Sequence, residues 1–200
     1  VHFTDPQTIG NYDTIATQLK EHNVDYDVFA TSYYPNIHGS MENITAVLKQ
    51  VADISRKKVM VAETAWSWTT ADGDGNSSGF NPGKNVDYAV SVQGQINELR
   101  DVMDAVNKVD NNAGIGVFYW EPAWIPVQYA YDENGKLDES IKKLNKEKWE
   151  RYGSGWASSY SMSYDKDNGQ YYGGSVKDDQ AFFDFEGNPL ASLTTFKDVY

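Results

Sequence analysis

Strand-like apolar runs and helix-periodic segments take turns along this chain, and that alternation limits its possible folds more than any other feature. "VHFT", "VDYDVFATSYY", "KKVMVAET" and "GIGVFYWEP" read as strands. Between the first three, "TIGNYDTIATQLKEH" sets Ile9, Tyr12, Ile15, Ala16 and Leu19 on one helical face, and "MENITAVLKQVADIS" does so with Ile44, Val47, Leu48, Val51 and Ile54. "YAVSVQGQINELRDVMDAVNKV" repeats the pattern with Val92, Ile96, Leu99, Met103 and Val106, and "PLASLTTFKDVY" reads as a last helix. Near-continuous apolar strands suit a parallel sheet covered by helices. The fold class is therefore α/β, with four strands each followed by a helix or a long loop.

Two α/β architectures compete. A doubly wound nucleotide fold needs a glycine-rich turn from strand to helix. The only near match, "GIGVFY", lies within a strand and runs on into "WEPAW". A (β/α)₈ barrel instead gathers its chemistry at the C-terminal ends of its strands. Here those ends read His2-Phe3-Thr4, Ser32-Tyr33-Tyr34-Pro35, Glu63-Thr64-Ala65-Trp66 and Tyr119-Trp120-Glu121-Pro122. Each carries polar and aromatic groups, so the barrel is the better reading, although four strands make half of one. The net charge of −12 argues against nucleic acid or an anionic membrane as partner. No apolar run reaches the roughly 18 residues of a membrane span. The absence of cysteine excludes a disulfide framework and suits a bacterial secreted protein or a cytosolic one. "VHFTDP" has neither the basic start nor the apolar stretch of a signal peptide, which suggests a chain that begins mid-protein. Fourteen Tyr and six Trp fill a core or offer sugars an apolar plate with a polar tip.

At "VDYDVFATSYYPNIHGS", "KKVMVAETAWSW", "ADGDGN", "GIGVFYWEPAWIPV" and "WERYGSGWASSY" the chain resembles the endo-β-1,4-galactanases of glycoside hydrolase family 53. The resemblance implies a retaining hydrolase of type I arabinogalactan built as a (β/α)₈ TIM barrel. Residues 1–200 would be the C-terminal half of its single catalytic domain, covering strands five to eight. It implies a secreted or cell-surface bacterial protein, with the N-terminal half of the same barrel and a β-1,4-galactan chain as partners.

It also implies roles. Glu63, ending strand seven, would be the nucleophile. The family's acid/base glutamate follows an asparagine at the end of strand four, which precedes Val1. Asn97-Glu98 lies inside a helix and does not replace it, and Glu121 is better placed to support or contact substrate. Trp120 would floor the sugar at the cleavage point. One of Tyr33 and Tyr34 would bond the nucleophile, since adjacent strand residues face opposite ways. His2 and His38 would reach sugar hydroxyls, and Trp66, Trp68 and Trp124 are candidate platforms, whereas Trp149 and Trp156 would pack.

"DGDGNSS" places oxygen ligands at alternate positions, with glycines that let the backbone wrap around a hard cation. It is no EF-hand, because the twelfth position, counted from Asp72, is Gly83. The resemblance makes it a calcium loop, with Asp72, Asp74, Asn76 and Ser78 joined by Ser175 and Asp178. "VQYAYDENGKLDESIKKLNKEK" reads as a charged, solvated insertion. A non-catalytic carbohydrate-binding protein is the rival reading, since the aromatics alone would serve it.

Overall fold

A computed structural model describes residues 1–6, 9–83, 86–152, 163–164, 171 and 173–199. Trp156 and the rest of "GSGWASSY" lie outside the described residues. Four strands form one sheet: β1 (His2–Phe3), β2 (Val28–Ser32), β3 (Lys58–Thr64) and β4 (Gly114–Tyr119). They lie in the order β1-β2-β3-β4, and every neighbouring pair is parallel. Consecutive strands of a (β/α)₈ barrel are arranged this way, whereas a doubly wound sheet reverses its order at a switch point.

Helices α1 (Ile9–Glu21), α3 (Met41–Ser55) and α4 (Val92–Asn107) make the successive crossovers, with a one-turn helix α2 (Pro35–His38) ahead of α3. Their boundaries follow local chemistry. Ser40 Oγ accepts from the backbone N–H of Asn43 at the start of α3, and Ser91 Oγ accepts from that of Gly94 at the start of α4. Arg56, in the left-handed region at φ 58°, ends α3.

The periodic apolar faces meet the sheet, although in α4 Val92 and Ile96 are only half-buried and Val102 joins the core instead. Ile44, Val47, Leu48 and Val51 of α3 and Leu99, Val102, Met103 and Val106 of α4 bury themselves against Phe29, Val59, Val61 and Val117. Complete burial of such a side chain contributes roughly 1.5–3 kcal/mol. The opposite face of the sheet is far less covered. Met60 and Ala62 are half-buried, while Ile115 and Phe118 of β4 stand 50% and 65% exposed.

One expectation needs correcting. The charged stretch after β4 is not simply solvated, because it folds into helix α5 (Glu139–Tyr152), which buries Asn145 and Trp149. Asn145 Nδ2 donates to the carbonyls of Gln128 and Tyr171, and Trp149 Nε1 donates to that of Ile125. Trp149 also packs edge-on against Trp124 in a second small core with Val127, Tyr171 and Ala181. A final helix, α6 (Thr195–Val199), closes the described chain.

Candidate active site and acidic loop

The site begins with an irregularity in β3. Strand β2 pairs Thr31 with Val61 and then Ser32 with Glu63. Strand β4 pairs Val117 with Val61 and then Tyr119 with Thr64. Both neighbours therefore count one residue fewer than β3 beyond Val61, which defines a bulge. An inserted residue reverses which face the following side chains reach. Val59 and Val61 are buried on the helix side, and strict alternation would have sent Glu63 after them. Instead Thr64 is the residue buried there, its Oγ1 2.5 Å from Glu98 Oε1 of α4. Glu63 turns to the open face, with its side chain 22% exposed.

Its surroundings fix that carboxylate. The hydroxyl of Tyr34 donates to Glu63 Oε2 at 3.1 Å. His2 Nε2 lies 3.9 Å from Glu63 Oε1 and 3.0 Å from Ser32 Oγ. Burial, and then the charge of Glu63, raise the Tyr34 pKa far above its ordinary value, so the phenol remains a donor. Lys177 Nζ lies 5.4 Å from the centroid of the Tyr34 ring. Trp120 is 36% exposed at the end of β4, with its backbone N–H on Thr64 O. Glu121 follows in the left-handed region at φ 50°, a strained backbone for a glutamate.

The choice between the tyrosines is settled by geometry. Tyr33 points into the core and donates to Gly39 O at 2.7 Å, so Tyr34 alone reaches Glu63. Three expected sugar contacts change meaning. His38 is buried, its Nδ1 accepts from the Tyr34 backbone N–H, and burial lowers its pKa, which makes it a neutral support for Tyr34. Trp66 has no exposed face: it is sealed by edge contacts with Phe80 and Tyr88, and its Nε1 donates to Ala89 O. Trp124 is 8% exposed and anchors the second core. Neither ring offers a sugar platform. Trp68 packs on Phe185, with ring centroids 5.1 Å apart.

Beyond β3, the acidic loop folds onto the segment before the 3₁₀ turn Asp178–Gln180. Carboxylate oxygens of Asp72, Asp74 and Asp178 lie within 4.8 Å of one another. Backbone amides hold the three in place. Asp72 Oδ1 accepts from Asp74 and Gly75, Asp74 Oδ2 from Gly174 and Ser175, and Asp178 Oδ2 from Gly73. A β-carbon on Gly73 would stand 2.7 Å from the Phe185 ring, and Gly75 adopts φ 85°, so this wrap depends on both glycines. Asp178 Oδ1 is buried without a hydrogen-bond partner. Burial, together with the neighbouring carboxylates, pushes the Asp178 pKa up to about 7. Crowded acids with a buried, unsatisfied oxygen suit a hard cation, so the donors fit calcium. Asn76 stays beside them through Nδ2 on Gly174 O. The serines are engaged elsewhere: Ser78 Oγ donates to Asp179 Oδ2, and Ser175 Oγ accepts from the Lys177 backbone.

Sequence reasoning missed Lys177 over Tyr34 and Asp179 under Ser78. Both come from a segment about 100 positions from its contacts in the acidic loop, and no local pattern announces such a meeting.

A parallel α/β sheet with a carboxylate at a strand's C-terminal end is the arrangement of a barrel glycosidase. The sequence profile of glycosyl hydrolase family 53 matches residues 1–196, and the chain belongs to that family. It is 53% identical over 199 residues to an endo-beta-1,4-galactanase of Bacillus subtilis, covering 98% of this chain and 44% of that protein. It is 35% identical over 139 residues to an arabinogalactan endo-beta-1,4-galactanase of Cellvibrio japonicus, covering 64% and 36%. Among solved structures, a family 53 catalytic domain from Ignisphaera aggregans superposes with a TM-score of 0.70 at 28% identity, covering all of this chain and 46% of that one. A chain from a structural study of two fungal beta-1,4-galactanases, at TM-score 0.61 and 19% identity, shares the fold. The chain thus spans less than half the length of these relatives.

Proposed function

We propose that residues 1–200 form the C-terminal half of a single (β/α)₈ catalytic domain that cleaves β-1,4-galactosidic bonds within type I arabinogalactan, with retention of configuration. The observation that carries this is Glu63, turned by a bulge onto the open face of the sheet and held through Oε2 by Tyr34. With Oε2 engaged, Oε1 is the oxygen free to attack the anomeric carbon. Attack forms a glycosyl–enzyme ester and breaks the bond to the leaving sugar, whose oxygen takes a proton from an acid in the N-terminal half. The resulting carboxylate then deprotonates a water that hydrolyses the ester. The exposed ring of Trp120 floors the sugar beside this carboxylate, and His2 and Glu121 approach its hydroxyls. Asp72, Asp74 and Asp178, with Asn76, hold a calcium ion that ties the loop after β3 to the segment before the Asp178–Gln180 turn. The natural setting is a secreted or cell-surface enzyme. Alone, this half lacks the acid and hydrolyses no galactan.

The test is to incubate the full-length enzyme with β-1,4-galactan and follow the first products by proton NMR. Internal cleavage with the β-anomer appearing first is expected. Initial α-product would overturn the retaining mechanism, and binding without cleavage would favour a carbohydrate-binding protein.

A further inference from the structure

Behind the bulge sits a carboxyl group that the mechanism above does not use. Glu98 is completely buried on α4, and its one hydrogen bond among the described residues is to Thr64, the residue after Glu63. Its second oxygen has no partner. One turn earlier, Gln95 Nε2 lies within hydrogen-bonding distance of Trp66 O, the Tyr119 hydroxyl, Gln180 O and Ala181 O. Tyr119 in turn donates towards Trp66 O and Gln180 O. The buried face of α4 thus grips the end of β3 at Thr64 through Glu98 and at Trp66 through Gln95. A polar grip inside an otherwise apolar interface is costly unless it fixes something, because a valine–leucine contact would seal the same space at no desolvation penalty. What it fixes is the direction of the chain at the bulge. Thr64 can face α4 only if Glu63 faces the open side.

We propose that Glu98 is a positioning residue for the reaction: its hydrogen bond to Thr64 locks the bulged end of β3 and so aims the Glu63 carboxylate at the sugar. The inference rests on Glu63 being the nucleophile. The grip works with a neutral carboxyl. Burial first, and then Asp101, push the Glu98 pKa up to about 8, against which the bond from Thr64 acts. The titratable groups that sense its charge are Tyr33 and Tyr34 after β2, Tyr88 ahead of α4, Tyr119 on β4 and Asp101 on α4 itself. None of these is a cation that would hold an ionised Glu98 in place. Ionisation above pH 8 would leave a buried charge that the bond from Thr64 only partly offsets, and that cost would shift α4 against the bulge and misdirect Glu63.

The experiment uses full-length enzyme carrying Glu98→Gln, Glu98→Leu and Thr64→Val, assayed for kcat and KM on a galactan oligosaccharide from pH 5 to 10, with crystal structures of the folded variants. Glu98→Leu and Thr64→Val are expected to lower kcat about 10- to 100-fold at nearly constant KM, the penalty of a misplaced reacting group. The Tyr34–Glu63 contact should be lost or lengthened in both. Glu98→Gln keeps a neutral hydrogen-bonding group, so kcat should stay within about twofold of the parent at pH 7 and should no longer fall above pH 8. Parental kcat in Thr64→Val, or an intact Tyr34–Glu63 contact in a slowed variant, would overturn the proposal. So would Glu98→Gln as slow as Glu98→Leu. If Glu98→Leu does not fold, Thr64→Val, which preserves shape, decides. The crystallographic contact is read without any substrate, so a parent that failed to cleave galactan would refute the proposed function and leave this test standing.

Discussion

The two faces of this sheet obey different rules, and β3 carries both. Towards the helices it presents Val59, Val61 and, beyond the bulge, Thr64, all sealed from solvent. Towards the other side it presents Met60, Ala62 and Glu63, all partly open. The closed face is apolar and repetitive, and its polar members are buried hydrogen-bonding groups such as Thr64 and Glu98. The open face carries Glu63, Tyr34 and the exposed Trp120, and among the described residues Lys177 reaches over the Tyr34 ring. One inserted residue moves a carboxylate from the first environment to the second. Stability and chemistry are thereby assigned to opposite sides of one strand, and substitutions should separate them.

The sharpest separation is at Glu63. In the full-length enzyme, Glu63→Gln should lower galactan turnover on the order of 10³-fold or more, because a carboxamide cannot form the ester intermediate. The melting temperature and oligosaccharide binding should stay near the parent's. Turnover within tenfold of the parent would remove Glu63 from the nucleophile role.

The closed face should behave in the opposite way. Phe29 is fully buried, packed against Phe3 and Tyr12 at centroid distances of 4.9 and 5.4 Å. Phe29→Ala should cost about 3–5 kcal/mol of stability by leaving a cavity. Activity per folded molecule should hold at a temperature where the variant remains native. Denaturant melts paired with active-site titration would measure both. A loss of kcat without a loss of stability would erase the distinction between the faces.

Much of this contrast was legible in the sequence, and the reasons for the exceptions are physical. The helix faces of α1, α3 and α4 and the four strands follow from periodicity, since burial on one side imposes a repeat on the chain. Glu63 was marked by its place after an apolar run and by the family motif around it. The bulge left no trace, because register is a relation between strands and no single segment encodes it. Without it, the face reached by Glu63 could not be deduced. Trp66 and Trp124 looked like platforms because a ring suits a sugar or a core equally well, and only the positions of Phe80, Tyr88 and Trp149 decide. Helix α5 hid behind its charges, with Trp149 and Asn145 its two buried side chains. Glu98 read as an ordinary helix residue, although α4 turns it fully inward.

Calcium offers a third comparison, between the strand's open face and the acidic loop beyond it. If Asp72, Asp74 and Asp178 hold the ion, calcium at 100 times its dissociation constant should stabilise the native protein by about 2.7 kcal/mol. Asp74→Ala should abolish the gain, and Glu63→Gln should leave it intact, because the two carboxylate groups act separately. Thermal melts in chelator and in millimolar calcium would show this. Identical curves for the parent would dismiss the site.

The finest test lies in two adjacent residues. Tyr33 and Tyr34 share a chemical identity, and the alternation of an extended chain sends one to each side. Tyr34→Phe removes a donor from Glu63, whose carboxylate is open enough at 22% exposure for water to take the donor's place, and leaves it less firmly directed. The expected result is a kcat about tenfold lower, with stability within about 0.5 kcal/mol of the parent. Tyr33→Phe deprives Gly39 O of its 2.7 Å donor in a partly buried setting. It should cost about 1–3 kcal/mol of stability and leave kcat unchanged. Each substitution removes the same hydroxyl, so any difference between them comes from the face it occupies. Equal effects on kcat would mean that the end of β2 does not hold its two tyrosines apart, and that the orientation of Tyr34 towards Glu63 is not what keeps the carboxylate in place.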